Sequence, residues 1–178
     1  MEISLFKSAM AKNNALIDTD EFFERVRTGA WKSEIFALRN CLKDNGKDVY
    51  NKKKKLLNAV TLSGNFKGRT ELVEYSGLIQ GDIDSVENPE MLRDELSLDP
   101  HVRASFLSPS GQGVKLAIAV PPNPELHREY FSFAQEYFLA NYGVIIDTSC
   151  KDINRLLFVS YDEDIKGNEE CVPLEMPE

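Results

Sequence analysis

The chain predicts an α+β fold: a ferredoxin-like split βαβ antiparallel sheet, an arrangement that RRM domains also use, with an N-terminal helical extension. Three observations carry this expectation. Apolar stretches with strand spacing at 78–83, 103–107 and 114–120, and extended stretches at 144–147 and 156–161, alternate with two amphipathic segments in the order strand, helix, strand, strand, helix, strand. Both amphipathic segments open on Asn-Pro, Asn88-Pro89 and Asn123-Pro124, where Asn can cap and Pro is preset for the first helical turn. Between strands two and three, Ser108-Pro109-Ser110-Gly111-Gln112-Gly113 reads as a turn.

In chain order, Asp18 with Glu21 reads as a capping-box start for a helix over 21–28, and Gly29 as its stop. Trp31, Ile35, Leu38 and Leu42 then recur at helical spacing up to Asn45-Gly46. These residues are packing positions, so 1–57 is expected to be a helical extension lying on the core. Lys52-Lys53-Lys54-Lys55 has two readings: a solvated helix face, or a phosphate-facing patch extended by Lys67 and Arg69. Residues 58–165 form the expected α+β core. In the second helix Leu126, Tyr130, Phe133, Ala134, Tyr137 and Phe138 make the apolar stripe, and Gly143 ends it. Val114, Leu116, Ile118 and Val120 alternate with Lys115, Ala117 and Ala119, a strand with a small-residue face expected to be open. Residues 166–178 read as a tail, and its end, Pro173 to Glu178, as a linker towards further sequence.

Composition bounds the function. With 178 residues, 42% hydrophobic and 28% charged, the chain is an ordinary globular domain with its own core. No apolar run could span a bilayer, and Met1-Glu2-Ile3-Ser4 lacks signal-peptide anatomy, so a cytoplasmic location without membrane contact is expected. Cys41, Cys150 and Cys171 are odd in number and far apart, which suits neither a disulfide framework nor a zinc site. A net charge of −8 argues against broad non-specific nucleic-acid binding while leaving room for a local basic patch.

The stretch Gly77 to Asp84 organises the candidate site. Alternate strand residues share a face, so Asp82 and Asp84 emerge together. Two adjacent carboxylates repel unless a cation or proton offsets them, and hard oxygen ligands suit Mg²⁺ or Mn²⁺. The plainer reading is a solvated strand end or helix cap. In the expected topology, Asp82 and Asp84 meet the turn Ser108 to Lys115 and the segment Asp147 to Arg155 at one sheet edge. Ser108, Ser110, Gly111, Gly113, Lys115 and Arg155 beside three carboxylates suit a metal-bound polyphosphate, with the glycines admitting close backbone approach. His101 and His127 lie outside this cluster. Neutralising Asp82 and Asp84 is expected to leave the fold intact, since it removes only repulsion.

At these residues the sequence also resembles a known family. The segments 59–66 (AVTLSGNF), 77–84 (GLIQGDID), 108–115 (SPSGQGVK) and 151–162 (KDINRLLFVSYD) are similar, in this order, to the N-terminal domains of virulence-associated-protein-E-type helicases of mobile elements. That family is in turn similar to the catalytic core of archaeo-eukaryotic primases and primase-polymerases, with a DxD/E motif, an SxH-type motif and a third aspartate. The resemblance implies a primase-like nucleotidyltransferase in mobile-element replication. Asp82, Asp84 and Asp147 would be its catalytic metal ligands, with Asp152 the competitor for the third position. Ser108, Ser110, Gly111, Gly113, Lys115 and Arg155 would hold a nucleotide triphosphate, and the open sheet face a DNA or RNA template or primer. A helicase domain would be its attached partner. Lys115 stands where primases carry His: it can neutralise phosphate but lacks an imidazole's titration, so nucleotide binding is implied more firmly than polymerisation. The alternatives are an inactive nucleotide- or nucleic-acid-binding module serving the helicase, and a metal-dependent phosphoesterase.

Overall fold

Ten strands and four α-helices are arranged in two larger antiparallel sheets, a hairpin and the helices that cover them in the computed structural model, which describes residues 1–177. In chain order they are β1 Glu2–Phe6, β2 Asn14–Asp18, α1 Thr19–Thr28, α2 Lys32–Lys54, β3 Ala59–Thr61, β4 Gly64–Lys67, β5 Glu71–Tyr75 and β6 Leu78–Ile83. There follow α3 Pro89–Leu96, β7 Val102–Leu107, β8 Val114–Ala119, α4 His127–Tyr142, β9 Leu157–Phe158 and β10 Lys166–Gly167. The fold is thus α+β. Among the described residues no helix is long and apolar enough to cross a membrane.

The N-terminal part departs from an all-helical extension. It opens on the β1–β2 hairpin, and β1 also pairs with β3, giving a sheet of order β2-β1-β3-β9. Asp18 caps α1 by accepting the Asp20 N–H at 2.8 Å, and Gly29 stops the helix in a left-handed conformation at φ 86°. The helix starts at Thr19 rather than at Glu21, however, and Glu21 pairs with Arg25 instead of closing a capping box. Asn45-Gly46 does not stop α2. Gly46 leaves helical geometry at φ 78°, ψ 178°, which a residue without Cβ tolerates, and the helix resumes to Lys54. That second half carries most of the lysine run.

The second sheet has the order β10-β7-β8-β6, all antiparallel. One face carries Ile79, Ile83, Leu116 and Ile118, packed with Leu96 of α3 and Tyr130, Phe131, Ala134 and Phe138 of α4. The small-residue face is not open. Ala104, Phe106, Ala117 and Ala119 are buried in one core with Phe22 and Phe23 of α1, Trp31 just before α2, and Ile35 and Leu38 of α2. The small side chains are what let those bulky helix residues approach the sheet closely.

The extended segments after α4 also differ. Val144 to Asp147 is not a strand; it touches β6 through one backbone bond, Asp147 N–H to the Asp82 carbonyl at 2.8 Å. Of 156–161 only β9 is regular, and it pairs with β3 in the other sheet. β10 instead extends the sheet beside β7. The segment after it is tied down as well: the Leu174 N–H donates to the Ala119 carbonyl at 2.8 Å, and Leu174 is buried. Of the stretch expected as a linker, Glu178 lies outside the described residues.

Candidate functional site

A close approach of two backbones creates the site. A Cβ on Gly113 would stand 2.5 Å from the Ile83 carbonyl oxygen, so only glycine lets the 108–113 turn lie against the end of β6. Within the turn the Gly111 N–H donates to the Ser108 carbonyl at 2.8 Å, and the Ser108 and Ser110 hydroxyls are 3.0 Å apart. Arg39 of α2 ties the turn to the segment after β9, donating to the carbonyls of Pro109 at 3.3 Å and Tyr161 at 3.0 Å. A Cβ on Gly111 would meet the Arg39 side chain at 3.2 Å, so both glycines make close approaches within the protein.

This packing leaves a cleft of about 220 Å³ between the sheet and the second half of α2. From the sheet side it is lined by Asp82, Asp84, Ser108, Ser110 and Lys115; from α2 by Lys47, Tyr50, Asn51 and Lys54. Of the helical wall, sequence reasoning has only Lys54, within the run read as a helix face or a phosphate-facing patch, and misses Lys47, Tyr50 and Asn51. The wall's signal is present, because 47, 50, 51 and 54 share one face at spacings of three and four residues, but the expected stop at Gly46 hides the continuation.

Asp82 and Lys115 are opposite each other in the β6–β8 register, and Lys115 Nζ donates to Asp82 Oδ2 at 2.7 Å. Lys115 is only 3% exposed. Asp82 Oδ1 is buried and without a hydrogen-bond partner, whereas Asp84 is exposed at the rim. Burial pushes the Lys54 ammonium below its ordinary pKa, and the Lys115 charge adds to the effect. Burial likewise pushes the Tyr50 phenol up to about 12, so it stays a neutral donor at physiological pH.

Asp147 is adjacent but differently engaged. It caps the short 3-10 helix Thr148–Lys151, accepting the Ser149 N–H at 2.9 Å and the Ser149 hydroxyl at 2.6 Å. The Ser149 hydroxyl bond, with the backbone bond next, holds the Asp147 carboxyl below its ordinary pKa. Arg155 donates to the Ser149 Oγ at 3.2 Å and lines a neighbouring groove rather than the cleft. Asp152, the competing third carboxylate, pairs with Arg128 at 2.6 Å. Among the described residues no three His, Cys, Asp or Glu side chains are gathered so as to hold a metal ion. The oxygens that suit a divalent cation are the orphaned Asp82 Oδ1 and the Asp84 carboxylate. His127 is a core residue, bonded through Nδ1 to the Tyr75 hydroxyl at 2.9 Å.

A family model described as the BT4734-like N-terminal domain matches residues 51–166. The chain belongs to this family. The match runs from the last turn of α2 to β10 and so spans the sheet-borne half of the cleft, together with Asn51 and Lys54. Lys47 and Tyr50 lie just before the matched span of this BT4734-like domain. Its description names no activity and no tie to primases or to virulence-associated-protein-E-type proteins. No curated protein and no solved structure matches the chain.

Proposed function

We propose that the cleft binds a metal-bound nucleoside triphosphate and that the domain is a primase-like nucleotidyltransferase module. One observation carries this reading: Asp82, Asp84, Ser108, Ser110 and Lys115 line a single cavity, faced by Lys47 and Lys54. Carboxylates for a cation, hydroxyl donors and lysines for phosphate charge are the components that phosphoryl transfer requires. The β7-β8-β6 order, with α3 and α4 on one face, supports a split βαβ core whose fourth strand position is taken by the irregular segment 144–147.

Asp82 and Asp84 would hold Mg²⁺ or Mn²⁺, and the ion would offset triphosphate charge and lower the pKa of an attacking hydroxyl. Lys115 orients Asp82 and offsets its charge. Lys47 and Lys54 supply positive charge from the helix, and the Ser108 and Ser110 hydroxyls and the protonated Tyr50 phenol supply neutral donors. The three cysteines are free, as suits a cytoplasmic protein.

A second reading has its own support. Lys115 occupies one oxygen of Asp82, and Ser149 occupies both oxygens of Asp147, which favours a nucleotide-binding module without synthesis, serving an attached helicase. The test is template-dependent incorporation of labelled nucleotide with Mg²⁺ and with Mn²⁺, on primed and unprimed DNA and RNA. Incorporation that disappears in Asp84→Asn supports the transferase. Nucleotide binding without incorporation selects the second reading, and absence of both rejects the two together.

A further inference from the structure

A second groove, of about 620 Å³, adjoins the cleft and shares Asn51 and Lys54 with it. Its cations come from three separate parts of the chain: Lys54 and Lys55 at the end of α2, Arg69 in the β4–β5 turn, and Arg155 before β9. Among the described residues the one acid on its wall, Asp152, is paired with Arg128. In a chain of net charge −8 this is a concentrated positive surface. It is larger than the cleft and brings together cations from three segments of the chain, which suits a run of phosphates. The sheet face that would otherwise accept a strand is sealed by α1 and α2.

We propose that this groove holds the phosphate backbone of a nucleic-acid single strand, whose end reaches the cleft at Asn51 and Lys54. The proposal rests on the nucleotide reading of the cleft for its purpose, but its test does not. Lys55 is exposed, so its substitution leaves the core untouched. Arg69 also donates to the Ala9 carbonyl at 3.0 Å and lies over the Phe6 ring, so Lys55→Glu alone is the first variant and Lys55→Glu with Arg69→Gln the second.

The experiment is fluorescence anisotropy of the full chain with a labelled oligothymidylate, its ribonucleotide counterpart, and inorganic polyphosphate as competitor. Lys55→Glu should weaken oligonucleotide binding several-fold and the double variant more, the salt slope falling by about 0.7 for each phosphate that is no longer neutralised. Lys43→Glu, on α2 but outside the groove, should bind the strand as wild type does. Wild-type affinity in both groove variants overturns the proposal, as does binding of inorganic polyphosphate without binding of either oligonucleotide. A parallel nucleoside triphosphate titration separates the two failures: a wild-type chain that binds the nucleotide but neither oligonucleotide overturns the groove alone.

Discussion

Lys115 Nζ and Asp82 Oδ2 are 2.7 Å apart across neighbouring strands, and the two side chains are 4% and 17% exposed. Each ion depends on the other, because removal of either leaves a charge with little water to solvate it. Lys115→Met and Asp82→Asn should each cost roughly 1.5–3 kcal/mol, the range for a hydrogen bond to a charged group. The double variant should cost less than their sum. Urea unfolding of the four proteins measures the coupling, and strictly additive losses would contradict the pair. Neutralising both aspartates is therefore not free of structural cost: Asp84→Asn should be silent for stability and Asp82→Asn should not.

The two glycines of the 108–113 turn should respond differently to alanine. Gly113→Ala places a Cβ against the backbone of β6, which has no room to yield, and should cost roughly 2–4 kcal/mol. Gly111→Ala meets only the Arg39 side chain, 3.2 Å away, but must hold φ 74°, at a cost of about 1–2 kcal/mol. Thermal unfolding checks the ranking; equal losses would mean that the turn is not held against β6.

How much of this is legible in the sequence depends on the range of the signal. The cap at Asp18, the stop at Gly29 and the shared face of Asp82 and Asp84 are local, and strand periodicity or a single capping residue reveals them. The proximity of Asp82 and Lys115 follows from strand order, which brings both aspartates and the lysine to one edge. What the sequence hides is non-local. Ala117 and Ala119 look the same beneath solvent as beneath Phe22 and Trp31, so the sealed face is invisible. Gly46 signals a break, but whether a helix ends there or resumes depends on what its next turns pack against. β1 passes for part of a helical extension because its pairing with β3 spans more than fifty residues.

His127 predicts a pH limb. Burial depresses its pKa from 6.5 to about 4, so the folded state holds the ring neutral against the Tyr75 hydroxyl. Between those values the unfolded chain binds the extra proton, so stability is full above pH 6.5 and falls as pH drops towards 4. The contribution is on the order of 3 kcal/mol. Urea midpoints against pH should lose this limb in His127→Gln; an unchanged profile would place the titration elsewhere.

Asp147 predicts a second, more acidic effect. Its folded pKa is depressed, so its contribution is present above the ordinary carboxylate value and is lost as pH falls through the folded pKa. Ser149→Ala removes the hydroxyl bond but keeps the backbone bond, and should move the Asp147 pKa upward in a carbon-detected NMR titration. Asp147→Ala should cost about 0.5–2 kcal/mol as a lost cap. A pKa unmoved by Ser149→Ala would show that the hydroxyl does not set it.

The cleft as a metal-nucleotide site is tested most directly by calorimetric titration of a nucleoside triphosphate into the full chain, with and without Mn²⁺, for wild type and Asp84→Asn. Asp84 is exposed at the cleft rim, so its neutralisation leaves the core undisturbed. The predicted result is Mn²⁺-dependent binding by wild type and loss of that dependence in a normally folded Asp84→Asn. Wild-type binding that ignores Mn²⁺, or a variant that responds to the metal as wild type does, would contradict it.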